Sequence, residues 1–259
     1  MLPEIIAHKE KLLASIDLKM EIKKIESQLE TYPAVRSLRL SLLAEADIAI
    51  IAEIKKQSPS KGILNNKINV EKMAKLYEWA GARAISVLTE DKYFGGTVED
   101  LITARRCIDI PVLRKDFILH EYQVWQSRAI GADAILLIAA VLPGPRVSEL
   151  YSLARQIGLE VIIEVHSREE IEKVLSIEPE MIGINNRNLK TFETDIRTFE
   201  QLSPLIPDGT VLIAESGIFK RADVIRLKRI GADAALIGEA ILSSADPEKK
   251  ILELRGEII

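Results

Sequence analysis

Six side chains able to move or hold protons stand at one kind of place in this chain. Glu53 and Lys55 close the apolar run IAIIAEIK, Lys115 closes VLRK, Glu164 closes VIIE, Asn185 closes MIGIN and Glu215 closes VLIAE. A single charge at the end of an apolar run is usually solvated or capped. Three carboxylates and two lysines at corresponding run ends fit that reading poorly. If the runs are strands, residues two apart share a face, so Glu53 and Lys55 point the same way and Ala52 and Ile54 the other. Burying such charges is tolerable only when they pair. A mixture of like and unlike charges also drives pKa values apart, as general acid–base catalysis requires. A second signal lies in Ser216-Gly217-Ile218 and Ile237-Gly238-Glu239-Ala240. Glycines there allow close backbone approach, and free amides at such turns suit a phosphate. Gly217, Gly238 and Glu239 are the candidate phosphate residues. Because a carboxylate repels phosphate, the contact at Glu239 is expected from its backbone N–H.

These residues need a scaffold that brings distant run ends together. From Asp47 onward eight short apolar runs recur: AIIAEIK, AISVLT, PVLRKDF, AILLIAA, VIIEV, MIGINN, VLIAES and AALIG. They are nearly uniformly apolar and rich in β-branched residues, as parallel strands covered on both faces are. Between them lie stretches such as VEKMAKLYEWAGA and REEIEKVLSIEPE, with apolar residues at helical spacing. The turns Gly81-Ala82-Arg83-Ala84, Gly131-Ala132-Asp133-Ala134 and Gly231-Ala232-Asp233-Ala234 each lead from a helix into a strand and suggest duplicated units. Eight such units predict a (β/α)8 TIM barrel, with the site at the C-terminal ends of its strands. The alternative, an open doubly wound sheet, usually carries a GxGxxG turn after its first strand, and none is present. Residues 1–46 form an N-terminal helical extension before a barrel at 47–259. It reads as one or two amphipathic helices, with Ile5, Ile6, Leu12, Leu13 and Ile16 as the expected buried stripe. Such an extension plugs one end of a barrel or covers its side; roofing a substrate is the rival use.

Composition narrows the function. At 259 residues and 47% hydrophobic the chain can bury a large core, and a net charge of −4 without a long basic run argues against nucleic acid. The longest apolar run, Ala134 to Leu142, is too short to span a bilayer. No secretory signal is apparent, and the single cysteine, Cys107, excludes an internal disulfide and suits a cytoplasmic location. Three histidines without HExxH or CxxC argue against a bound metal. His120 and His166 read as rim residues without a catalytic part. Oligomeric state is undecided.

The segment IAEIKKQSPSKG resembles the signature of indole-3-glycerol phosphate synthases. LRKDF, EVH, GINNRNLKTFETD and AESGI resemble later segments of that family, in the same order. The resemblance implies ring closure of 1-(2-carboxyphenylamino)-1-deoxyribulose 5-phosphate, with loss of carbon dioxide and water and without cofactor or metal. It implies Lys115 as general acid on the ribulose oxygen and Glu164 as a second acid–base group serving the dehydration. Glu53 would hold the lysines and sugar hydroxyls, while Lys55 would offset the substrate carboxylate or orient Lys115. Asn185 and Arg187 would hold the anthranilate end, and Glu215 and Ser216 the ribulose chain. Ser58 would contact substrate, and Phe94 in the Lys-Tyr-Phe-Gly-Gly loop would wall the aromatic ring. Two other readings stay open: a Schiff-base aldolase barrel using Lys115 as nucleophile, and a barrel that binds a phosphorylated metabolite without turnover. Weak association with other tryptophan-pathway enzymes is also left open.

Overall fold

A computed structural model of the chain describes residues 1–58, 62–63, 68–189, 191 and 193–257, the side chains of Ser58 and Ile63 excepted. Eight parallel strands close into a barrel: β1 (Ala49–Ile54), β2 (Ala84–Leu88), β3 (Val112–Lys115), β4 (Ala134–Ile138), β5 (Glu160–Val165), β6 (Met181–Asn185), β7 (Val211–Glu215) and β8 (Ala234–Ile237). Each expected run coincides with one of them, β5 starting one residue ahead of VIIEV. β8 returns to β1, with Ile51 opposite Leu236. A short antiparallel pair, Gln57–Ser58 with Gly62–Ile63, follows β1. Among the described residues no helix is long and apolar enough to cross a membrane.

Alternation along the strands divides the apolar residues into two cores. Ala49, Ile51, Ala84, Leu113, Leu136, Ile162, Met181, Ile213 and Leu236 fill the barrel. Ile50, Ala52, Ile54, Ile85, Ile135, Ile163 and Ala214 face the helices. The inward set shares its parity with Glu53, Lys115, Glu164, Asn185 and Glu215, which extend the filling upward. Glu53, Lys115, Glu164 and Glu215 come from the four odd-numbered strands, matching the layering in which alternate strands contribute to one level.

The turn repeat serves the opposite end. Gly81, Gly131 and Gly231 have φ of 88°, 86° and 91°, where a β-carbon is disfavoured. Asp133 and Asp233 then occupy equivalent places: each accepts at 2.8 Å a backbone N–H from the preceding strand, that of Val112, the first residue of β3, and that of Leu212, the second of β7.

The N-terminal extension forms α1 (Leu2–Ala14), α2 (Leu18–Glu26) and α3 (Leu38–Leu43), and its parts do different work. Leu38 and Leu42 are fully buried against the barrel-filling residues, so α3 plugs the N-terminal end. α2 packs on α6 (Glu121–Ala129) at the side of the barrel. α1 reaches the opposite rim, where Lys9 pairs with Asp116 at 2.8 Å and His8 with Asp91 at 3.2 Å. Of the expected stripe only Ile5 is buried; Ile6, Leu13 and Ile16 are half-buried and Leu12 is exposed, while Lys9 is buried on the same helix. The ion pair to Asp116 makes the inward lysine favourable.

Candidate active site

A cavity of about 150 Å³ opens at the C-terminal ends of the strands, lined by Glu53, Lys55, Lys115, Glu164, Asn185 and Glu215. Lys115 is its centre. Its Nζ lies 3.1 Å from Glu164 Oε2 and 3.0 Å from Glu215 Oε2. Lys55 pairs with Glu53. Burial alone would lower the pKa of Lys115, but Glu164, Glu215 and Glu53 outweigh it and raise it above the ordinary lysine value. The ammonium is therefore the resting form. The two carboxyls beside it are driven apart. Burial pushes Glu164 up, but Lys115 and then His166 overcome this and hold it ionised. For Glu215 burial wins over Lys115, and its pKa is raised. One Glu215 oxygen, Oε1, has no hydrogen-bond partner among the described residues.

Glycines make room for these carboxylates. A β-carbon at Gly183 on β6 would lie 2.2 Å from Glu215 Oε1, and one at Gly238 would lie 2.2 Å from Glu53 Oε1. The latter gives Gly238 a reason distinct from backbone approach to phosphate. Gly217 is needed for both conformation and space: φ is 77° and a β-carbon would meet Thr194 Cγ2 at 2.6 Å. Ser216 also has positive φ, 66°, the rarer case of a side-chain-bearing residue there. Its carbonyl accepts the Asn186 side-chain amide at 3.0 Å. Gly238 precedes the short helix α11 (Glu239–Leu242), and both Gly238 and Glu239 line the cavity. The Glu239 carboxylate turns to Arg187, 3.2 Å away. The Asn185 side-chain oxygen accepts the Arg187 backbone N–H at 3.0 Å.

Leu88, Phe94, Phe117, Leu136, Ile138 and Leu189 form much of the apolar wall. The rings of Phe94 and Phe117 are 6.3 Å apart. Glu90 shapes the Phe94 loop by accepting the N–H groups of Lys92, Tyr93 and Phe94. The loop after β1 is tied to the same region: Lys56 pairs with Asp100, and Gln57 donates to the carbonyls of Phe94 and Lys92. Ser58 lies in that strap, but its side chain is outside the described residues. Thus the cavity gathers every other residue expected from the sequence: Phe94, Arg187, Ser216, Gly217, Gly238 and Glu239 join the six strand-end residues along its lining. No residue of α1 lines it.

Two features escaped the sequence reading. Asp116 is buried beside Lys115 and pairs with Arg114 and Lys9, while accepting from Thr89 Oγ1. Its signal was a lysine in the middle of an apolar helix stripe. His166, expected on the rim, instead lies with Nε2 at 3.2 Å from Glu164 Oε1. The signal there was spacing, since His166 stands two residues after Glu164. His120 does sit at a rim: its Nδ1 caps α6 by accepting the Tyr122 N–H at 3.1 Å. Among the described residues one grouping has metal-ligand types, His8, Glu90 and Asp91. It lies where α1 meets the Phe94 loop, and its groups are already engaged as just described.

The family model described as indole-3-glycerol phosphate synthase matches residues 2–254. The indole-3-glycerol phosphate synthase of Halalkalibacterium halodurans is 44% identical over 238 residues, covering 92% of this chain and 89% of its own. That of Geobacillus sp. is 42% identical over 260 residues, covering 100% of this chain and 98% of its own. Among solved structures, 3-hexulose-6-phosphate synthase shares the fold with a TM-score of 0.63 at 16% identity, over 82% of this chain and 100% of that one. The chain belongs to the indole-3-glycerol phosphate synthase family.

Proposed function

We propose that the cavity closes the pyrrole ring of 1-(2-carboxyphenylamino)-1-deoxyribulose 5-phosphate, releasing carbon dioxide and water to give indole-3-glycerol phosphate. The observation that carries this reading is the Lys115 ammonium held between Glu164 and Glu215 at the base of a largely apolar pocket. Ring closure needs a carbonyl made electrophilic by an acid. Lys115 is charged and supplies that proton: a Nζ–H bond breaks as an O–H bond forms on the ribulose oxygen. Glu164 serves the later dehydration as the proton-accepting carboxylate. A positioned proton-transfer group contributes ~10²–10⁴-fold, and holding the aromatic carbon against the carbonyl adds a proximity effect.

The remaining residues divide the substrate among them. Phe94 and Phe117 wall the anthranilate ring, while Asn185 and Arg187 hold its carboxylate end. Lys55, paired with Glu53, offsets the same negative charge before carbon dioxide leaves. Glu215 and Ser216 meet the ribulose chain, with Ser58 as a further contact. The amides at Gly217, Gly238 and Glu239 receive the phosphate, the Glu239 carboxylate being drawn away by Arg187. Neither metal nor cofactor enters the scheme. A cytoplasmic location and weak association with other enzymes of the tryptophan pathway go with this assignment.

The Schiff-base alternative needs a neutral Lys115 amine as nucleophile. Three carboxylates acting to keep that amine protonated weigh against it. Purified protein supplied with the carboxyphenylamino-deoxyribulose phosphate should develop indole fluorescence. Folded protein that gives no signal would defeat the assignment, and a borohydride-trapped adduct on Lys115 would favour the aldolase.

A further inference from the structure

His166 sits between two carboxylates on different elements. Its Nε2 is 3.2 Å from Glu164 Oε1 and its Nδ1 is 3.2 Å from Glu170 Oε2. Glu170 also accepts the His166 backbone N–H at 2.7 Å. The sequence SREE builds this clamp. Ser167 caps α8 (Arg168–Leu175) by accepting the Glu170 N–H, which places Glu170 in the first turn to reach back to His166. The Nδ1 contact to Glu170 can be made by a neutral ring; the Glu164 carboxylate 3.2 Å from Nε2 favours the second proton through its charge. Nε2 is buried and has no aligned acceptor among the described residues, although Glu164 lies within ion-pair distance.

Other charges nearby do not compete for the ring. Lys115 of β3 meets the opposite oxygen of Glu164 and links onward to Glu215. Lys173 of α8 is turned to the carbonyls of Ala139 and Leu142 in the loop after β4. Asn185 of β6 is uncharged, and Arg187 beyond it is drawn to Glu239.

We propose that His166 is a positioning residue: a fixed imidazolium, clamped by Glu170, that remains as the counter-ion of Glu164 after Lys115 has given its proton to the substrate. This rests on the reaction proposed above. With Lys115 charged, Glu164 has a cation on each oxygen. Once Lys115 becomes a neutral amine, a carboxylate only 2% exposed would lose its one remaining cation if His166 were absent. It would then be protonated before it could accept a proton from the intermediate. With His166 in place it stays ionised, and the loss of one of its two cations makes it a stronger base at the moment it is used. The direction of the histidine's own titration agrees. Burial would lower its pKa, but Glu164 and Glu170 outweigh burial and push it up to about 10.

The test is the pH dependence of kcat. In His166→Gln the acid limb should move toward neutral pH by about one unit or more, the size of effect an adjacent opposite charge has on a carboxyl. KM should change little, and His166→Lys should move the limb back. An unmoved limb in His166→Gln overturns the proposal. So does a fall in kcat that is equal at every pH and not restored by lysine, because packing alone would then explain it. Nitrogen NMR of the ring in the wild-type protein is independent of how the variants fold. Both ring nitrogens should carry protons at pH 8, and a neutral ring would overturn the assignment. Failure of the wild-type protein to make the indole product would remove the proposed reaction but leave the NMR result standing.

Discussion

At the N-terminal end of the barrel Asp133 accepts the N–H groups of Arg36 and Val112, each at 2.8 Å. Glu160 accepts the Ser37 hydroxyl at 2.6 Å and the Arg39 N–H at 2.7 Å. At the other end Glu164 and Glu215 face an ammonium and, for Glu164, an imidazole. Apart from the Arg105 guanidinium, 3.1 Å from Asp133, the donors at the closed end are backbone amides and a hydroxyl, whereas those at the mouth are titratable side chains. Backbone amides neither ionise nor move, so acids bonded to them act as fixed braces. Lysine and histidine carry transferable protons, so acids beside them form a network whose charges shift together. One end is closed by α3. Among the described residues the mouth retains a buried carboxylate oxygen, Glu215 Oε1, without a hydrogen-bond partner.

The contrast is most open to attack at Lys115. Lys115→Ala should lower kcat by ~10²–10⁴-fold, leaving substrate binding measurable and the fold intact. Steady-state kinetics with thermal unfolding checks this, and near-normal turnover would remove Lys115 from the proposed role. Gly238→Ala comes next. The added methyl would collide with the Glu53 carboxylate, and a displacement of that order should lower kcat by up to about 10²-fold with little loss of stability. An unchanged kcat would show that the mouth is less exacting than its close contacts imply.

Asp133→Ala should do the reverse. It strands the buried Val112 N–H and the half-buried Arg36 N–H and removes the partner of Arg105, at ~1–3 kcal/mol for each unsatisfied buried group, while kcat of the folded enzyme stays near wild type. Denaturant unfolding with parallel kinetics separates the two readings. Asp47→Asn should have the smallest effect. Burial would raise the Asp47 pKa, but Arg221, Lys228 and the Ile48 N–H take it down to about 2. Its contribution to stability is thus present above the unfolded carboxylate value near 4 and is lost as pH falls through about 2. The variant should lose stability at neutral pH and little near pH 2, whereas an equal loss at both would refute the ion-pair origin.

Much of the fold could be read because a buried parallel strand is written in contiguous residues. Each run, from AIIAEIK to AALIG, carries its own signal, and alternation told inward from outward within it. The same parity put Glu53, Lys115, Glu164, Asn185 and Glu215 on the inner face. The turn repeat was visible too, but not that its aspartates brace the starts of earlier strands. The extension was harder. Its helices were visible, yet α3 became a plug because Leu38 and Leu42 fit the open end of a barrel whose wall is made elsewhere in the chain. Leu12 was expected inside and is exposed, because Lys9 takes the inward place opposite Asp116. His166 was placed at the rim because its two carboxylate neighbours act on it together only once α8 folds back.

By itself, then, the amino-acid order determined the periodicity of the elements, the side of each strand on which a residue falls, and which chemical groups stand at the strand ends. These are local consequences of peptide geometry. Tertiary structure alone decided which carboxylate meets which cation, that Lys115 rests charged despite its burial, and that glycines 183 and 238 clear space for acids on neighbouring strands. Those outcomes depend on distance and on exclusion of water. Both are set only when the eighth strand closes against the first.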